Sequence, residues 1–275
     1  MSAIASGSSS SSSGSSGFWS GAWAICSKDL RIELRTREIV TTAGFFAALV
    51  AILAAVAFYG GVTAEVELDS GRLVGWLGPP LPPKAMVRIA VQIAPGAIWL
   101  PVAFASILAL ARTWQREREE GALTGLLVSP VPRASIFFGK ALGVMAFVLT
   151  VELVVVPIVA LMFHVELPEV AGALVVVLLL GTIGVAATGT LFGAMTVRTR
   201  ARDLVLASVL FPLLSPALLS SVAATHQILT LAGNPEFNGI GAQLAEVSDY
   251  LILLGIFDGV AVLGGLTLFG ALVDD

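Results

Sequence analysis

Long apolar runs constrain this chain more than any other feature of its sequence. Each run holds about 20 residues, enough for one helix to cross the hydrocarbon core of a bilayer. Charged residues make up only 12 % of the chain, about half of the ~25 % usual in soluble domains. The runs therefore predict an all-α membrane protein with six transmembrane helices, at residues 40–62, 89–111, 141–164, 171–197, 204–224 and 250–273.

The residues before the first run divide into two segments. Residues 1–17 are rich in Ser and Gly and predict a disordered leader. We expect no cleavable signal peptide there, because the leader has neither a positive charge nor an apolar core. Residues 18–38 place Trp19 and Trp23 on an apolar face opposite Lys and Arg. This pattern favours an amphipathic helix in the headgroup region over a soluble helix packed on a partner. Residues 39–275 then form the membrane domain.

The basic residues fix the expected orientation. Of the 15 Lys and Arg residues, all but Arg72, Lys84 and Arg88 fall on one side if the six spans alternate. The side rich in Lys and Arg faces the cytoplasm. We therefore expect an integral protein of the bacterial inner membrane, with the lipid bilayer around it and both termini cytoplasmic.

A dense block of alternating charge, residues 112–140, joins the second and third spans. Arg116 and Glu120 have the i,i+4 spacing of a helical ion pair, and leucines follow as an apolar ridge. Pro130 and Pro132 then end the helix, and a new one is expected from Arg133. A charged, ridged helix suits docking to a soluble partner, although a solvated loop is the alternative. The residues predicted for this contact are Arg116, Glu117, Arg118, Glu119, Glu120, Gly121, Leu123, Leu126, Leu127, Pro130 and Pro132.

Two carboxylates fall inside apolar runs, Glu152 in the third span and Asp258 in the sixth. Such residues are expensive in hydrocarbon and are candidates for a functional site. They would serve an ion-coupled secondary transporter together with broken second and fifth helices. Proline occurs in both spans, and Pro95 and Pro101 predict a second helix that is kinked or broken. The alternative is a structural acid that faces the interior of the bundle.

Two GxxxG pairs permit close helix packing, within the chain or between copies. They are Gly189 with Gly193 and Gly255 with Gly259. Packing within the chain is the simpler use for both pairs.

Several kinds of chemistry find no support in the sequence. His164 and His226 lie near span ends without further ligands, and Cys26 is the only cysteine, so we predict no metal site. No phosphate-binding loop and no HExxH motif occur. We therefore expect a chain that is not an enzyme, binds no cofactor itself and does not bind nucleic acid. Any ATP would be bound and hydrolysed by a partner.

The stretch from Gln92 to Lys140 resembles the CcmB family, the B subunit of the cytochrome c haem exporter. The matching positions are Ala94, Pro95, Gly96, Trp99, Glu120, Gly121, Leu123, Pro130 and Pro132. The resemblance implies a six-helix permease of the ABC exporter class (type-two exporter) with a cytoplasmic coupling helix between spans 2 and 3. It also implies a separate ATPase subunit, a second copy of the chain, and a membrane subunit and haem chaperone that handle the haem. The alternative is an ABC exporter of drugs, lipid-linked molecules or polysaccharides.

Overall fold

The protein is described here from a computed structural model, which covers residues 13–37, 41–54, 56, 83–119, 125, 128–163, 165, 167–196, 202–232, 234, 237 and 239–274. The described residues are helical, with short turns and bends between the helices. The helices are α1 (Ser13–Thr36), α2 (Thr41–Ala54), α3 (Pro83–Glu119), α4 (Arg133–Phe163), α5 (Leu167–Thr196), α6 (Arg202–Leu231), α7 (Ile240–Glu246) and α8 (Ser248–Asp274).

Five of these helices are long and apolar enough to cross a membrane: α3, α4, α5, α6 and α8. They coincide with the second to sixth predicted spans. The first predicted span, 40–62, extends beyond the described residues. Its described part, α2, is bent by 75° from α1, and the two pass the same test only if taken together. The described helices therefore give five spans, or six if the bent pair counts as one.

A break at the prolines is contradicted, whereas the kink predicted for the second span stays a prediction. Helix α3 continues through Pro95 and Pro101, and α6 continues through Pro212 and Pro216. A proline frees only the carbonyl four residues earlier, and a membrane helix tolerates this if another donor is found. In α6 the Ser215 hydroxyl donates to the Pro212 carbonyl at 2.6 Å. This is the carbonyl that Pro216 cannot serve.

Helix α5 lies at the centre of the bundle, where it packs against α3, α4, α6 and α8. Its glycines explain this position, because neighbouring side chains occupy the space where a Cβ would lie. The Trp99 ring fills that space at Gly181, Leu110 does so at Gly189, and the Trp114 ring does so at Gly193. The first GxxxG pair thus serves packing within the chain, as predicted.

The second GxxxG pair behaves differently, because no atom lies within 4 Å of a Cβ placed at Gly255 or Gly259. We predict that Gly193→Ala lowers the stability of the detergent-solubilised protein by about 1–3 kcal/mol, since the rigid Trp114 ring must move. The matched variant Gly259→Ala should leave the thermal unfolding midpoint unchanged. Equal midpoints for the two variants would contradict the packing of α5 on α3.

Helix α1 lies against the beginning of α4. Ala22, Ile25 and Cys26 are buried, and the backbone of α1 approaches Gly139 so closely that a side chain there would collide with it. Trp19 and Trp23 remain 60 % and 67 % exposed. The helix thus binds the bundle mainly through these three residues, and the mostly exposed Trp19 indole also contacts the Phe138 ring of α4 edge-on at 5.4 Å. The predicted leader boundary at residue 17 falls inside α1, which begins at Ser13, and residues 1–12 lie outside the described part of the chain.

Candidate functional site

The Lys140 ammonium is among the most deeply buried ionisable groups of the described residues, with 2 % of its side chain exposed. Lys140 lies two turns into α4, where the helix packs against both α1 and α3. A buried ammonium requires carboxylates close by, because desolvation otherwise costs several kcal/mol. Helices α1 and α3 each supply one.

Four side chains from three helices form a connected set of ion pairs, which we call the charge network: Lys28, Asp29, Glu117 and Lys140. The Lys140 ammonium donates to Oδ2 of Asp29 at 2.7 Å and to Oε1 of Glu117. The Lys28 ammonium reaches the same Glu117 oxygen at 3.0 Å and Oδ1 of Asp29 at 3.3 Å. Two positive and two negative groups therefore balance each other.

Burial alone would raise the pKa of the Glu117 carboxyl. The Lys140 ammonium, followed by that of Lys28, outweighs burial and holds this pKa below its ordinary value. Glu117 is therefore a carboxylate at neutral pH.

The charge network includes Glu117, near the start of the predicted partner contact, and Lys140, eight residues after the last predicted contact residue. Glu117 lies in the last turn of α3, and Lys140 lies shortly after α4 begins at Arg133. The chain between them includes the bend at Ser129–Val131, which confirms the predicted stop before Arg133. Both ends of this connection are thus bound to α1 through Lys28 and Asp29.

Glu152 and Asp258 are buried among the membrane helices, 2 % and 7 % exposed. Oε1 of Glu152 accepts a hydrogen bond from the Thr182 hydroxyl at 2.6 Å, and Asp258 lies against Gly184. Thr182 and Gly184 are two positions apart in α5, and at about 100° per residue they face nearly opposite sides of it. The two carboxylates therefore do not form one site.

Trp99 joins three helices. Its indole lies against Gly181 of α5, and its Nε1–H donates to the Thr225 hydroxyl of α6 at 3.0 Å. Pro95 is buried one turn earlier in α3, and at Gly96 no atom lies within 4 Å of a Cβ position. This part of α3 is a packing centre of the bundle.

A family of known proteins matches the part of the chain that contains α3 to α7 and most of α8. The model of the family described as CcmB protein matches residues 80–263, which is well over half of the 275-residue chain. The chain belongs to the CcmB family. The resemblance seen in the residues from Gln92 to Lys140 is thereby confirmed.

Several curated relatives carry the name "Heme exporter protein B". The protein from Bradyrhizobium diazoefficiens is 27 % identical over 172 residues, which cover 62 % of this chain and 76 % of the relative. The protein from Rhodobacter capsulatus is 33 % identical over 135 residues, 48 % of this chain and 60 % of the relative. The Pseudomonas aeruginosa protein is 28 % identical over 142 residues, 52 % and 63 %. The second and third matches span less than two thirds of those relatives.

Most of the residues that the sequence predicts to contact a partner cannot be placed in this CcmB-family protein. Residues 120–124, 126 and 127 lie outside the described part of the chain. Arg116, Arg118 and Glu119 are within α3, but only their backbone is described. Pro130 and Pro132 are exposed, and Glu117 points into the charge network. The predicted contact itself thus stays a prediction.

The histidines give no further site in the described residues of this CcmB-family chain. His226 is exposed, and His164 lies outside the described residues. Among the residues that were described, no group of three His, Cys, Asp or Glu side chains could hold a metal ion.

Sequence reasoning missed the charge network of this CcmB-family protein. The pattern of residues 18–38 places Lys and Arg on a polar face, and Lys140 ends the charged block, but neither pattern pairs these residues with Glu117. One signal was available. Lys140 stands among Phe137, Phe138 and the apolar residues of α4, and a lone ammonium in such surroundings predicts a buried carboxylate partner.

Proposed function

We propose that this chain is the non-catalytic membrane subunit of an ABC-type haem exporter that acts in cytochrome c maturation. Membership of the CcmB family and its relatives named heme exporter protein B support haem as the cargo. Five apolar helices support a role in the membrane. Binding and hydrolysis of ATP fall to a separate cytoplasmic subunit, and haem is handled by a partner membrane subunit and a haem chaperone.

The observation that carries the coupling part of this proposal is the charge network. Residues 116–132, which we call the coupling segment, would contact the ATPase. The segment begins at the Glu117 side of the network and ends eight residues before Lys140. A displacement of the segment by the ATPase would act on α3 and α4 together, and the ion pairs would pass it on to α1. Contiguous packed elements of this kind can carry coupling between sites.

Two further parts of the proposal concern the orientation of the chain in the membrane and its association with a second copy. The excess of Lys and Arg on one side supports an inner-membrane protein with both termini in the cytoplasm. The open face at Gly255 and Gly259 supports a second copy of the chain in the complex, since small residues let two helices approach closely.

Co-purification tests the proposed contact with the ATPase. We expect the double variant Glu120→Ala/Gly121→Val, in tagged full-length protein from mild detergent, to recover about 30-fold less ATPase, since loss of an interface centre costs about 2 kcal/mol or more. Membrane insertion should be unchanged. The matched control, Glu246→Ala/Gly241→Val, changes the same residue types within α7, where both positions are exposed.

Mass spectrometry of the recovered partners then separates the cargoes. Recovery of an ATP-binding-cassette subunit together with a haem-handling membrane protein would support haem export. An ATPase alone would point to another exporter, and full ATPase recovery by the Glu120/Gly121 variant would remove the coupling segment as the contact.

A further inference from the structure

A second hydrophobic cluster lies beside the main core, where five helices meet at the end of the bundle that holds the charge network. We call it the junction cluster. Ile25 of α1, Trp114 of α3 and Phe137 of α4 belong to it, and each of them precedes a member of the charge network by three residues. Helices α5 and α8 complete the cluster, α8 through Phe269. The junction cluster thus reaches α8, which the ion pairs of the charge network do not.

Phe137 joins α4 to α8 within the junction cluster. Its side chain is fully buried, and the end of its ring fills the space where a Cβ at Gly265 would lie. The Phe269 ring, one turn further along α8, packs against the same ring at a centroid distance of 5.8 Å. Gly265 therefore forms a notch that holds the Phe137 ring. Closely packed groups of this kind pass on a displacement, because the interior of a protein is hardly compressible.

The notch lies close to the coupling segment. The segment ends at Pro132, and the Ser135 and Ile136 amides donate to the Pro132 carbonyl at 2.9 and 3.3 Å. These two hydrogen bonds join the segment to the first turn of α4, and Phe137 follows Pro132 by five residues. The end of the coupling segment and the Phe137 ring are therefore parts of one helical unit.

The direct neighbours of Phe137 and Gly265 do not take part in this contact. The Phe138 ring packs against Trp19 of α1 at a centroid distance of 5.4 Å. At Gly264 no atom lies within 4 Å of a Cβ position. Of each adjacent pair, one residue forms the contact between α4 and α8, and the other provides a matched control.

Helix α8 is the least enclosed of the five membrane-crossing helices in the described part of the chain. In its most apolar stretch 17 % of the residues are buried in the bundle, against 44–67 % in the other four helices. The face that carries Gly255 and Gly259 is open. A helix with few buried contacts is held less firmly than its neighbours, so the contact at Gly265 has a large share in fixing its position.

We propose that Phe137 is a positioning residue, which uses the notch at Gly265 to carry a displacement of the coupling segment to α8. The inference rests on the proposed function, since the ATPase is the partner that would displace the segment. A push on the segment moves the beginning of α4, the Phe137 ring presses on α8 at Gly265, and the open face of α8 changes its surroundings in the membrane. The charge network acts towards α1, and Phe137 acts towards α8.

A fluorophore on α8 tests the proposal in the full-length chain purified together with its ATPase. Bimane, whose emission depends on its surroundings, is attached at Ile256→Cys, a position that is 60 % exposed, after Cys26→Ala removes the native thiol. We expect ATP to shift the bimane emission in the chain with Phe137 intact. Phe137→Ala should abolish the shift without lowering ATPase recovery. Phe138→Ala, the same change at the residue that faces α1, should preserve it.

Gly265→Ala keeps the test decisive if Phe137→Ala fails to fold. Its methyl group collides with the Phe137 ring, so the ATP-dependent shift should be lost, whereas Gly264→Ala should retain it. The double variant Phe137→Leu/Gly265→Ala should recover the shift, because the shorter side chain leaves room for the methyl group. Such a recovery would not follow if Gly265→Ala acted only through lost flexibility of α8.

Three results would overturn the inference: no ATP-dependent shift with Phe137 intact, a shift that persists in Phe137→Ala, or equal loss in Gly264→Ala and Gly265→Ala. Each of them leaves the ATPase bound and the proposed function standing. Failure to recover any ATPase with the unchanged chain is a different result, since it would remove the proposed function and this inference with it.

Discussion

Replacing Lys140 with methionine should destabilise the protein by about 3–5 kcal/mol, because the change removes one partner of a buried ion pair and leaves carboxylates uncompensated. Asp29 and Glu117 would then share only the Lys28 ammonium, which is partly exposed. Thermal unfolding of the purified protein in detergent should show a fall in the midpoint on the order of 10 °C.

The double variant Lys140→Met/Glu117→Gln provides the matched control. It removes one positive and one negative group together, so that Lys28 and Asp29 remain paired at 3.3 Å. Replacing both partners of a buried pair is often nearly neutral, and most of the lost stability should return. If the double variant is as unstable as Lys140→Met, the loss arises from packing around the lysine stem and not from unpaired charge.

The same pair of variants separates stability from coupling. If the charge network transmits movement from the coupling segment, the double variant should fold normally and still fail to support haem export in cells. Normal export by a folded double variant would limit the network to a structural role.

The last five apolar runs overlap the five described helices that are long and apolar enough to cross a membrane, because hydrocarbon imposes one requirement on every residue of a span. The bend before Arg133 was predicted equally well, since Pro130 and Pro132 act through their own backbone. For Glu152, one of the two interpretations was an acid that faces the interior of the bundle, and its side chain is buried there. In each case the cause is local, or is the same over a long stretch of chain.

Partners that are distant in sequence were not predictable in this way. Lys28 and Glu117 are 89 positions apart, and Asp29 and Lys140 are 111 apart. Helical periodicity assigns Asp29 to a polar face, but it does not say whether water or another helix covers that face. The prolines failed for a related reason, since a helix is broken or continuous according to what its neighbours provide. In α6 the Ser215 hydroxyl, next to Pro216, donates the hydrogen bond that the Pro212 carbonyl would otherwise lack.

Trp99→Ala should lower the free energy of unfolding by about 3–5 kcal/mol, the range typical when a fully buried aromatic side chain is truncated. The indole is 1 % exposed and fills the space above Gly181. Its loss would leave a cavity where α3, α5 and α6 meet, and in a membrane such packing is a principal cause of helix association. The readout is the thermal midpoint of the purified protein in detergent.

Two further variants assign this loss to its causes. Trp99→Phe keeps most of the ring but removes the Nε1–H that donates to Thr225 at 3.0 Å, so we expect a loss of about 1 kcal/mol. Trp23→Ala deletes the same side chain at a position that is 67 % exposed, and the midpoint should stay within experimental error. If Trp99→Ala were as mild as Trp23→Ala, α3 would not be held to α5 and α6 through this residue. A large effect for Trp99→Ala but not for Trp23→Ala would show that Trp99 fixes α3 to α5 and α6. The end of the same helix, which bears Glu117 of the charge network, would then be held in place by this packing.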